Sequence, residues 1–297
     1  MGRAVALTGK SLNAVSAVSP RAAGRIAFSL FCHPVRRGAI RPRERTVIDQ
    51  AVRGTVHVAG SSVATYRWGD GENAVLLMHG WASRASRFAS LVAALRTRGI
   101  SVLAFDAPGH GDSRSRGSTV LRYTAVARAL SERHGPFRAI IGHSFGALCG
   151  FHAVKSHVPT ARLVAISGPS DFAFLLDEFS NDFRLRPAIR AEVVRRIERH
   201  FQHHLTTGTD LWARFSPCEH AEEVTVPVLI VHDEDDQRVP VSHARRLTDV
   251  YLDRVGLVIT SGLGHGRILG DPRVLAAVAD FVAAPAERAA ATGGPTP

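Results

Sequence analysis

The feature that most constrains this chain is a serine set between two glycines, after an apolar run and before a helical pattern. Residues 142–146 read Gly-His-Ser-Phe-Gly, the apolar run covers residues 139–141, and residues 147–154 have a helix-forming composition. A strand that turns directly into a helix at Gly-x-Ser-x-Gly strains the serine backbone and lifts its hydroxyl out of the sheet. The pattern predicts a nucleophile at Ser144, although an isolated pentapeptide of this kind also fits a plain strand-to-helix turn.

Apolar strands and helical patterns alternate over most of the sequence. After an antiparallel hairpin at 54–68, with its turn at 60–62, strands are predicted at 74–78, 101–105, 139–141, 163–166, 228–231 and 257–260, and helices near 84–98, 119–133, 145–156, 241–252 and 272–283. Short, continuously apolar strands between helices are typical of a mainly parallel sheet that is covered on both faces. The predicted fold class is therefore α/β, and functional sites in such sheets lie beyond the carboxyl ends of the strands.

The length of the chain, 297 residues, allows additions to one α/β domain. We predict a core at residues 51–169 and 225–284, interrupted by a helical cap insertion at 170–224, which is too long for a connection and too apolar for a linker. A basic N-terminal arm at 1–50 contains a short amphipathic helix between Pro20 and Pro34, because proline can begin one helix and end another. Residues 285–297, rich in alanine, glycine and proline, are expected to form a flexible tail.

The positive charge of the chain is concentrated in the N-terminal arm. The net charge is +11, of which residues 1–43 carry +8 with no acidic residue, so that the rest of the chain carries only +3. The body lacks a basic stripe interleaved with aromatic residues, which argues against a nucleic-acid partner. We expect the arm to lie on the domain or on a partner, with weak membrane-surface contact or an organelle transit peptide as the alternatives. On that interpretation, deleting residues 1–40 leaves turnover intact.

Neither a cofactor nor a metal is predicted. The three histidines at helical spacing in the inserted segment, His200, His203 and His204, are joined by no carboxylate or cysteine. The three cysteines are far apart and odd in number, which is typical of a reducing compartment and favours a cytoplasmic location. No apolar run reaches the 18 residues expected of a membrane span.

Polar residues follow the ends of the other predicted strands. The first parallel strand ends in His79-Gly80-Trp81, and residues 106–113 read Asp-Ala-Pro-Gly-His-Gly-Asp-Ser. Acidic residues fill positions 233–236, and residues 262–266 read Gly-Leu-Gly-His-Gly. A serine hydroxyl needs an imidazole base whose other nitrogen is held by a carboxylate, and the order serine, carboxylate, histidine is the one expected of this architecture.

These motifs together resemble those of the α/β-hydrolase-fold serine hydrolases, in a bacterial-type branch, over about residues 54–283. The resemblance implies a catalytic triad in which Ser144 is the nucleophile and His265 the base. The family places its acid in His-Gly-x-x-Asp-x-x-Val-Pro, and counting from His232 puts it at Asp236. Because Asp233 stands where the family has glycine, the adjacent Asp235 remains the second candidate.

The resemblance also assigns residues around the nucleophile. Backbone N–H groups of Trp81 and Phe145 are expected to form the oxyanion hole, and His79, Gly80 and His143 to contact the substrate. The predicted activity is hydrolysis of an ester, thioester or amide of a small-molecule acyl substrate, most simply a carboxylic ester. The phenylalanines of the inserted segment indicate a hydrophobic acyl or aromatic group, or simple packing of that segment. An acyltransferase with the same triad and a receptor-like small-molecule binder with little turnover remain the alternatives.

Overall fold

The computed structural model describes residues 2–35, 37–114, 117–203, 205–206 and 208–285. Its eight strands, in chain order, are β1 (Val52–Val58), β2 (Ser61–Trp68), β3 (Val75–Met78), β4 (Val102–Phe105), β5 (Ala139–His143), β6 (Leu163–Ile166), β7 (Val228–Asp233) and β8 (Val255–Thr260). Residues 286–297 of the predicted flexible tail lie outside the described residues, and so does His204.

Twelve α-helices accompany these strands in the described ranges. They are α1 (Gly2–Val18), α2 (Pro20–Cys32), α3 (Arg45–Asp49), α4 (Ala89–Arg96), α5 (Val120–His134), α6 (Phe145–Lys155), α7 (Ala173–Phe183), α8 (Pro187–Gln202), α9 (Leu211–Phe215), α10 (Ser242–Tyr251), α11 (Gly264–Arg267) and α12 (Pro272–Ala283). Helix α2 occupies the place predicted from Pro20 and Pro34, whereas α1 was not predicted.

The strands form one mainly parallel sheet in the order β1-β2-β4-β3-β5-β6-β7-β8. The hairpin β1–β2 pairs antiparallel with β4, and every pairing from β4 to β8 is parallel. The hairpin turn is at Ala59 and Gly60, both with positive φ, rather than at residues 60–62. A two-residue turn of this kind matches the right-handed twist of the strands it joins, which explains the shift.

Apolar side chains cover both faces of the sheet, so the fold class predicted from the sequence is confirmed. One buried cluster joins α5 and α6 to α7 and α8, and the other joins α4 and α12 to the opposite face. The central strands are buried along their whole length, which explains their continuously apolar sequences.

The N-terminal helices are part of this packed structure. Leu12 of α1 and Ala23 and Ala27 of α2 are buried in the same apolar cluster as α7 and α8. Gly24 of α2 lies so close to Glu192 of α8 that a Cβ there would collide with the glutamate side chain. Helices α1 and α2 are therefore packed against each other and against α7 and α8, which lie between β6 and β7.

Candidate active site

The backbone at Ser144 has the strained conformation expected of a nucleophile at a strand-to-helix turn. Ser144 lies between β5 and α6 with φ +56° and ψ −124°, a left-handed region that a residue with a Cβ rarely adopts. A Cβ at Gly142 would collide with Gly146 and Ala147, and a Cβ at Gly146 would collide with the carbonyl of Met78. The two glycines are therefore required by the close approach of β3, β5 and α6.

A continuous hydrogen-bonded chain runs from Ser144 through His265 to Asp236. The Oγ of Ser144 is 3.0 Å from Nε2 of His265, and Nδ1 of His265 is 2.8 Å from Oδ2 of Asp236. The three residues come from the β5–α6 turn, the start of α11 and the loop after β7. The structure thus brings together the three side chains predicted from the sequence in the order that nucleophilic catalysis requires.

Asp236 is held as a carboxylate by its surroundings. Its side chain is fully buried, and its other oxygen accepts hydrogen bonds from the backbone N–H groups of Arg238 at 2.8 Å and Val239 at 3.0 Å. Burial alone would raise the pKa of Asp236, but the contact with His265 and the two backbone amides outweigh it and lower that pKa to about 2. The acid is therefore ionised at any pH at which the protein would work.

The neighbouring aspartates fix the loop that carries His265. Asp233 is buried and accepts hydrogen bonds from Thr260 Oγ1 at 2.7 Å and from the backbone N–H of Gly264 at 2.8 Å. Asp235 accepts from the backbone N–H of Gly262 at 2.7 Å and does not contact the imidazole. The carboxylate of Asp233 thus anchors the loop that carries His265, which the sequence analysis did not foresee.

The loop that contains Trp81 passes directly beside the nucleophile. A Cβ on Gly80 would be 3.0 Å from the Cβ of Ser144, so that a side chain at this position would crowd the serine. Within the described chain, the N–H groups of Trp81 and Phe145 donate to no other protein group, and Phe145 is the first residue of α6. The geometry supports these two amides as oxyanion donors, since both flank Ser144 and are free to bind an incoming oxygen.

Two buried histidines hold the loop that contains Trp81, which we call the oxyanion loop, against the loop that follows β4. His79 donates from Nδ1 to the carbonyl of Gly80 at 2.8 Å and accepts at Nε2 from the N–H of Ala107 at 2.9 Å. His110 accepts at Nε2 from the N–H of Ala82 at 3.1 Å and lies near Pro108. Each imidazole therefore links both loops while it stays neutral.

A buried carboxylate completes this bracing. Asp106 accepts hydrogen bonds from the N–H groups of Ala85 and Asp112, both at 2.8 Å, from Tyr66 at 2.9 Å and from Arg84 at 3.2 Å. The sequence shows residues 106–113 only as a polar, glycine-rich stretch after a predicted strand, and the hydrogen bonds that link this stretch to the Trp81 loop are visible only in three dimensions.

The residues that were predicted to contact substrate do not line the cavity beside Ser144. His79 and His143 are buried. His143 donates from Nε2 to the backbone carbonyl of His265 at 2.8 Å, and Gly80 serves close packing. We therefore correct their assignment from substrate binding to positioning of the catalytic loops.

The buried histidines predict an acid-sensitive fold. Burial is the main cause that lowers the pKa of His79 to about 4 and those of His110, His143 and His152 to about 3, from an ordinary value of 6.5. Between pH 6.5 and these values the unfolded chain binds more protons than the folded one, so stability rises with pH and falls on acidification.

The expected loss is about 1.4 kcal/mol per pH unit for each such histidine. Urea unfolding at pH 7.5 and 5.5 should show it, because unfolded carboxylates titrate mainly below this interval. His152→Gln, remote from the triad, should reduce the pH dependence by about one histidine's share. Equal stability at both pH values would contradict the assignment of neutral buried imidazoles.

A large cavity opens above Ser144. Its volume is about 930 Å³, and Ser144, His265, Trp81 and Phe145 form its floor. Its walls are mostly apolar, with Phe172, Phe174, Leu175, Phe179 and Phe183 of the inserted segment among the lining residues. The phenylalanines named in the sequence analysis therefore face the same space as the nucleophile. An apolar cavity with a few converging polar groups is typical of a small-molecule site.

The N-terminal arm supplies part of this cavity. Ala4, Val5 and Thr8 of α1 and Leu30, Phe31 and Cys32 of α2 line it, followed by Val35, Arg37 and Gly38. The segment is fastened to the oxyanion loop, since Arg84 donates to the carbonyl of Gly38 at 3.3 Å and Arg87 to that of Ala39 at 3.1 Å. Deleting residues 1–40, which the sequence analysis expects to leave turnover intact, would remove this part of the cavity wall. Charge and proline spacing alone do not reveal such packing.

A single side chain of α2 tests this arrangement without removing the arm. Phe31→Ala should lower kcat/KM for a long-chain ester by at least about tenfold, because it removes apolar surface from the cavity wall, and should change acetate hydrolysis little. Phe28→Ala is the matched control, since Phe28 lies on the same helix, packs against His200 and does not line the cavity. Equal effects of the two substitutions on the long-chain ester would contradict a substrate-facing α2.

One exposed trio in the described chain could approach a metal ion. His220, Glu222 and Glu223 have ligand atoms close together, but all three are at least partly exposed and Glu223 pairs with Arg214. The three cysteines, Cys32, Cys149 and Cys218, are free and buried. Burial raises the pKa of the Cys32 thiol to about 12, so it is no competing nucleophile in the cavity. None of the described helices is both long enough and apolar enough to cross a membrane.

Comparison with known proteins agrees with this architecture. The sequence profile described as the alpha/beta hydrolase family matches residues 75–278. The chain is 24% identical to a non-heme haloperoxidase of Rhodococcus erythropolis over 70% of its own length and 90% of that protein. It is 27% identical to the lysophosphatidylserine lipase ABHD12 of Danio rerio over 71% of its own length, but spans only 58% of that protein.

Solved structures share the fold at low sequence identity. An esterase of Pyrococcus furiosus superposes with a TM-score of 0.63 and 18% identity, covering 84% of this chain and 97% of the esterase. The thioesterase domain of a curacin biosynthetic pathway superposes with a TM-score of 0.56 and 17% identity, covering 78% of this chain and 99% of that domain. The chain belongs to the alpha/beta hydrolase family and is a hydrolase enzyme.

Proposed function

We propose that the protein is a serine hydrolase that cleaves carboxylic esters with a long apolar acyl chain through an acyl-enzyme on Ser144. The observation that carries the proposal is the hydrogen-bonded chain from Ser144 through His265 to Asp236, with contacts of 3.0 and 2.8 Å, at the floor of an apolar cavity. Esterases and lipases among the relatives support the same reaction class.

In the proposed reaction, Oγ of Ser144 attacks the ester carbonyl carbon while Nε2 of His265 takes the hydroxyl proton. The N–H groups of Trp81 and Phe145 stabilise the oxyanion that forms, and Asp236 stabilises the imidazolium through Nδ1. His265 then gives its proton to the departing alcohol. A water molecule, deprotonated by the same nitrogen, attacks the acyl-enzyme and releases the acid, so that Ser144 regains its proton.

The surroundings of the base favour water as the final acceptor. The side chain of His265 is 25% exposed, so the imidazole that would activate a water molecule is in contact with solvent. An acyltransferase with the same triad would instead exclude water and admit an alcohol or amine. This exposure is the reason that we place hydrolysis before acyl transfer, for which no acceptor site is recognisable among the described residues.

The apolar lining of the cavity indicates the class of substrate. Each methylene group that is buried contributes roughly 0.8 kcal/mol, so kcat/KM for p-nitrophenyl esters should rise by at least about tenfold from butyrate to octanoate. The measurement is initial rates over a series of acyl chains from acetate to palmitate, at concentrations below micelle formation. A maximum at acetate would reject the long apolar acyl group.

The same assays separate the alternative functions. Product analysis in the presence of glycerol should show free acid as the main product; an acyl-glycerol as the main product would indicate an acyltransferase. Saturable ligand binding with less than one turnover per molecule would indicate a receptor-like protein. Thioester and anilide analogues of the best acyl chain would then rank the leaving groups.

A further inference from the structure

Exposed apolar side chains are concentrated in the N-terminal segment, on α1 and α2 and just after them. Of the nine large hydrophobic residues with substantial exposure among the described residues, five lie within the first 35 positions: Leu7 (67% exposed), Val15 (38%), Val18 (91%), Ile26 (47%) and Val35 (73%). Leu7, Ala14 and Val18 are spaced to lie on one face of α1, opposite the buried Leu12. Helix α1 therefore exposes Leu7 and Val18 on a side that the rest of the described chain does not cover, and this concentration of apolar side chains indicates an interaction surface.

Cations accompany these apolar residues. Lys10, Arg21, Arg25 and Arg37 are exposed, and within the described ranges none of them forms an ion pair. The first acidic residue of the chain, Glu44, is buried and bound to Arg87 and Ser86. The exposed side chains of α1 and α2 form a surface that we call the N-terminal face. It combines apolar side chains with charged side chains that are all basic.

The N-terminal face adjoins residues that line the cavity above Ser144. The first turns of α1 and the last turn of α2 both line the cavity, so the open end of this helix pair is at its edge. Buried contacts of Leu12, Ala23 and Ala27 hold the pair on the inserted segment. An apolar molecule that leaves a surface bound to this face would meet the cavity without crossing open water.

We propose that the N-terminal face docks on an anionic lipid bilayer. Charge complementarity selects this occupant, since basic side chains next to exposed leucine, valine and isoleucine suit anionic headgroups above an acyl layer. A second copy of the chain fits less well, because it would bring together two surfaces whose exposed charged side chains, Lys10, Arg21 and Arg25 in each copy, are all positive. The docking is independent of the proposed chemistry and is measured without turnover.

The test is co-sedimentation of the full chain with sucrose-loaded vesicles at about 50 mM salt. Vesicles of phosphatidylcholine with 30% phosphatidylglycerol should bind the protein at least tenfold more tightly than phosphatidylcholine alone, and 0.5 M salt should largely release it. Equal binding to the two vesicle types, or no binding to either, would overturn the proposal. A salt-sensitive dimer in size-exclusion chromatography that buries the N-terminal face between its two copies would also overturn it.

Paired variants separate the two components of the surface. Arg21→Glu with Arg25→Glu, and separately Leu7→Ser with Val18→Ser, should each weaken binding to the anionic vesicles by tenfold or more. Arg133→Glu with Leu252→Ser is the matched control, because both residues are exposed on other faces, and it should bind like the parent. Turnover of a short soluble ester should be unchanged in all three, which shows that they are folded. A control variant that loses binding as fully as the test variants would contradict a localised docking surface.

Discussion

Replacing Ser144 by alanine is expected to lower kcat for the best ester by about 10⁴- to 10⁶-fold, with little change in KM. The reason is that the hydroxyl is the only group of the triad that can form the acyl bond, while the cavity walls that bind the acyl chain remain. The measurement is steady-state kinetics. Thermal unfolding of the variant shows whether alanine is tolerated at this position, where the backbone φ is positive.

Ser118 offers a matched control for this substitution. It is buried and lines the same cavity, and its hydroxyl has no hydrogen-bond partner among the described residues. Ser118→Ala should therefore change kcat by less than about tenfold. A Ser144→Ala variant that keeps more than a hundredth of the parent kcat, free of contaminating esterase, would mean that another group attacks the substrate.

Replacing Asp236 by asparagine is expected to lower kcat by about 10⁴-fold, the second largest effect. An amide at this position cannot stabilise the imidazolium and can hold His265 in the wrong tautomer. The backbone N–H groups of Arg238 and Val239 would still bind the asparagine oxygen, so the loop should keep its shape. The loss should therefore appear in kcat and in its pH profile rather than in thermal stability.

Asp235→Asn is the control that decides between the two adjacent acids. Asp235 bonds to the backbone of Gly262 and does not touch the imidazole, so its loss should cost less than about tenfold in kcat. The opposite ranking of the two variants would show that Asp235 orients the base in solution. It would also show that the loop after β7 has a different arrangement from the one described.

The sheet and the grouping of Ser144, Asp236 and His265 could be predicted from the sequence because each depends on local patterns. Apolar strands, the glycines around Ser144 and the positions of Asp236 and His265 at strand ends are all visible in a linear chain. Parallel sheet topology then brings strand ends to one edge without further information. The choice of Asp236 over Asp235 depended on counting from His232, and the structure places Asp236 against the imidazole at 2.8 Å.

The parts that could not be predicted depend on contacts between distant segments. Nothing in residues 1–43 alone shows that α1 and α2 lie against α7 and α8 and form a cavity wall, because basic charge and small residues also fit a detached arm. His79 and His143 belong to the catalytic motifs, but which way their rings point is set by the Gly80 and His265 carbonyls. Asp233 gains its function only from its contacts with the loop after β8.

Contacts between distant segments also link the N-terminal arm to the loop that carries Trp81. Glu44 is buried between Ser86 and Arg87, and Arg84 reaches both Gly38 and the carboxylate of Asp106. The chain that follows α2 is thus bonded to the loop that carries the Trp81 amide. The N-terminal segment consequently contributes to the shape of the oxyanion loop as well as to the acyl cavity.

The most direct test of the account is the reaction of the purified protein with a fluorophosphonate, followed by intact-mass measurement of the parent and of Ser144→Ala. An activated serine at the start of α6 predicts one adduct on the parent, formed within minutes, and none on the variant. Peptide mapping should place that adduct on Ser144. An unmodified, folded parent, or an adduct that persists in Ser144→Ala, would contradict the assignment of Ser144 as the nucleophile.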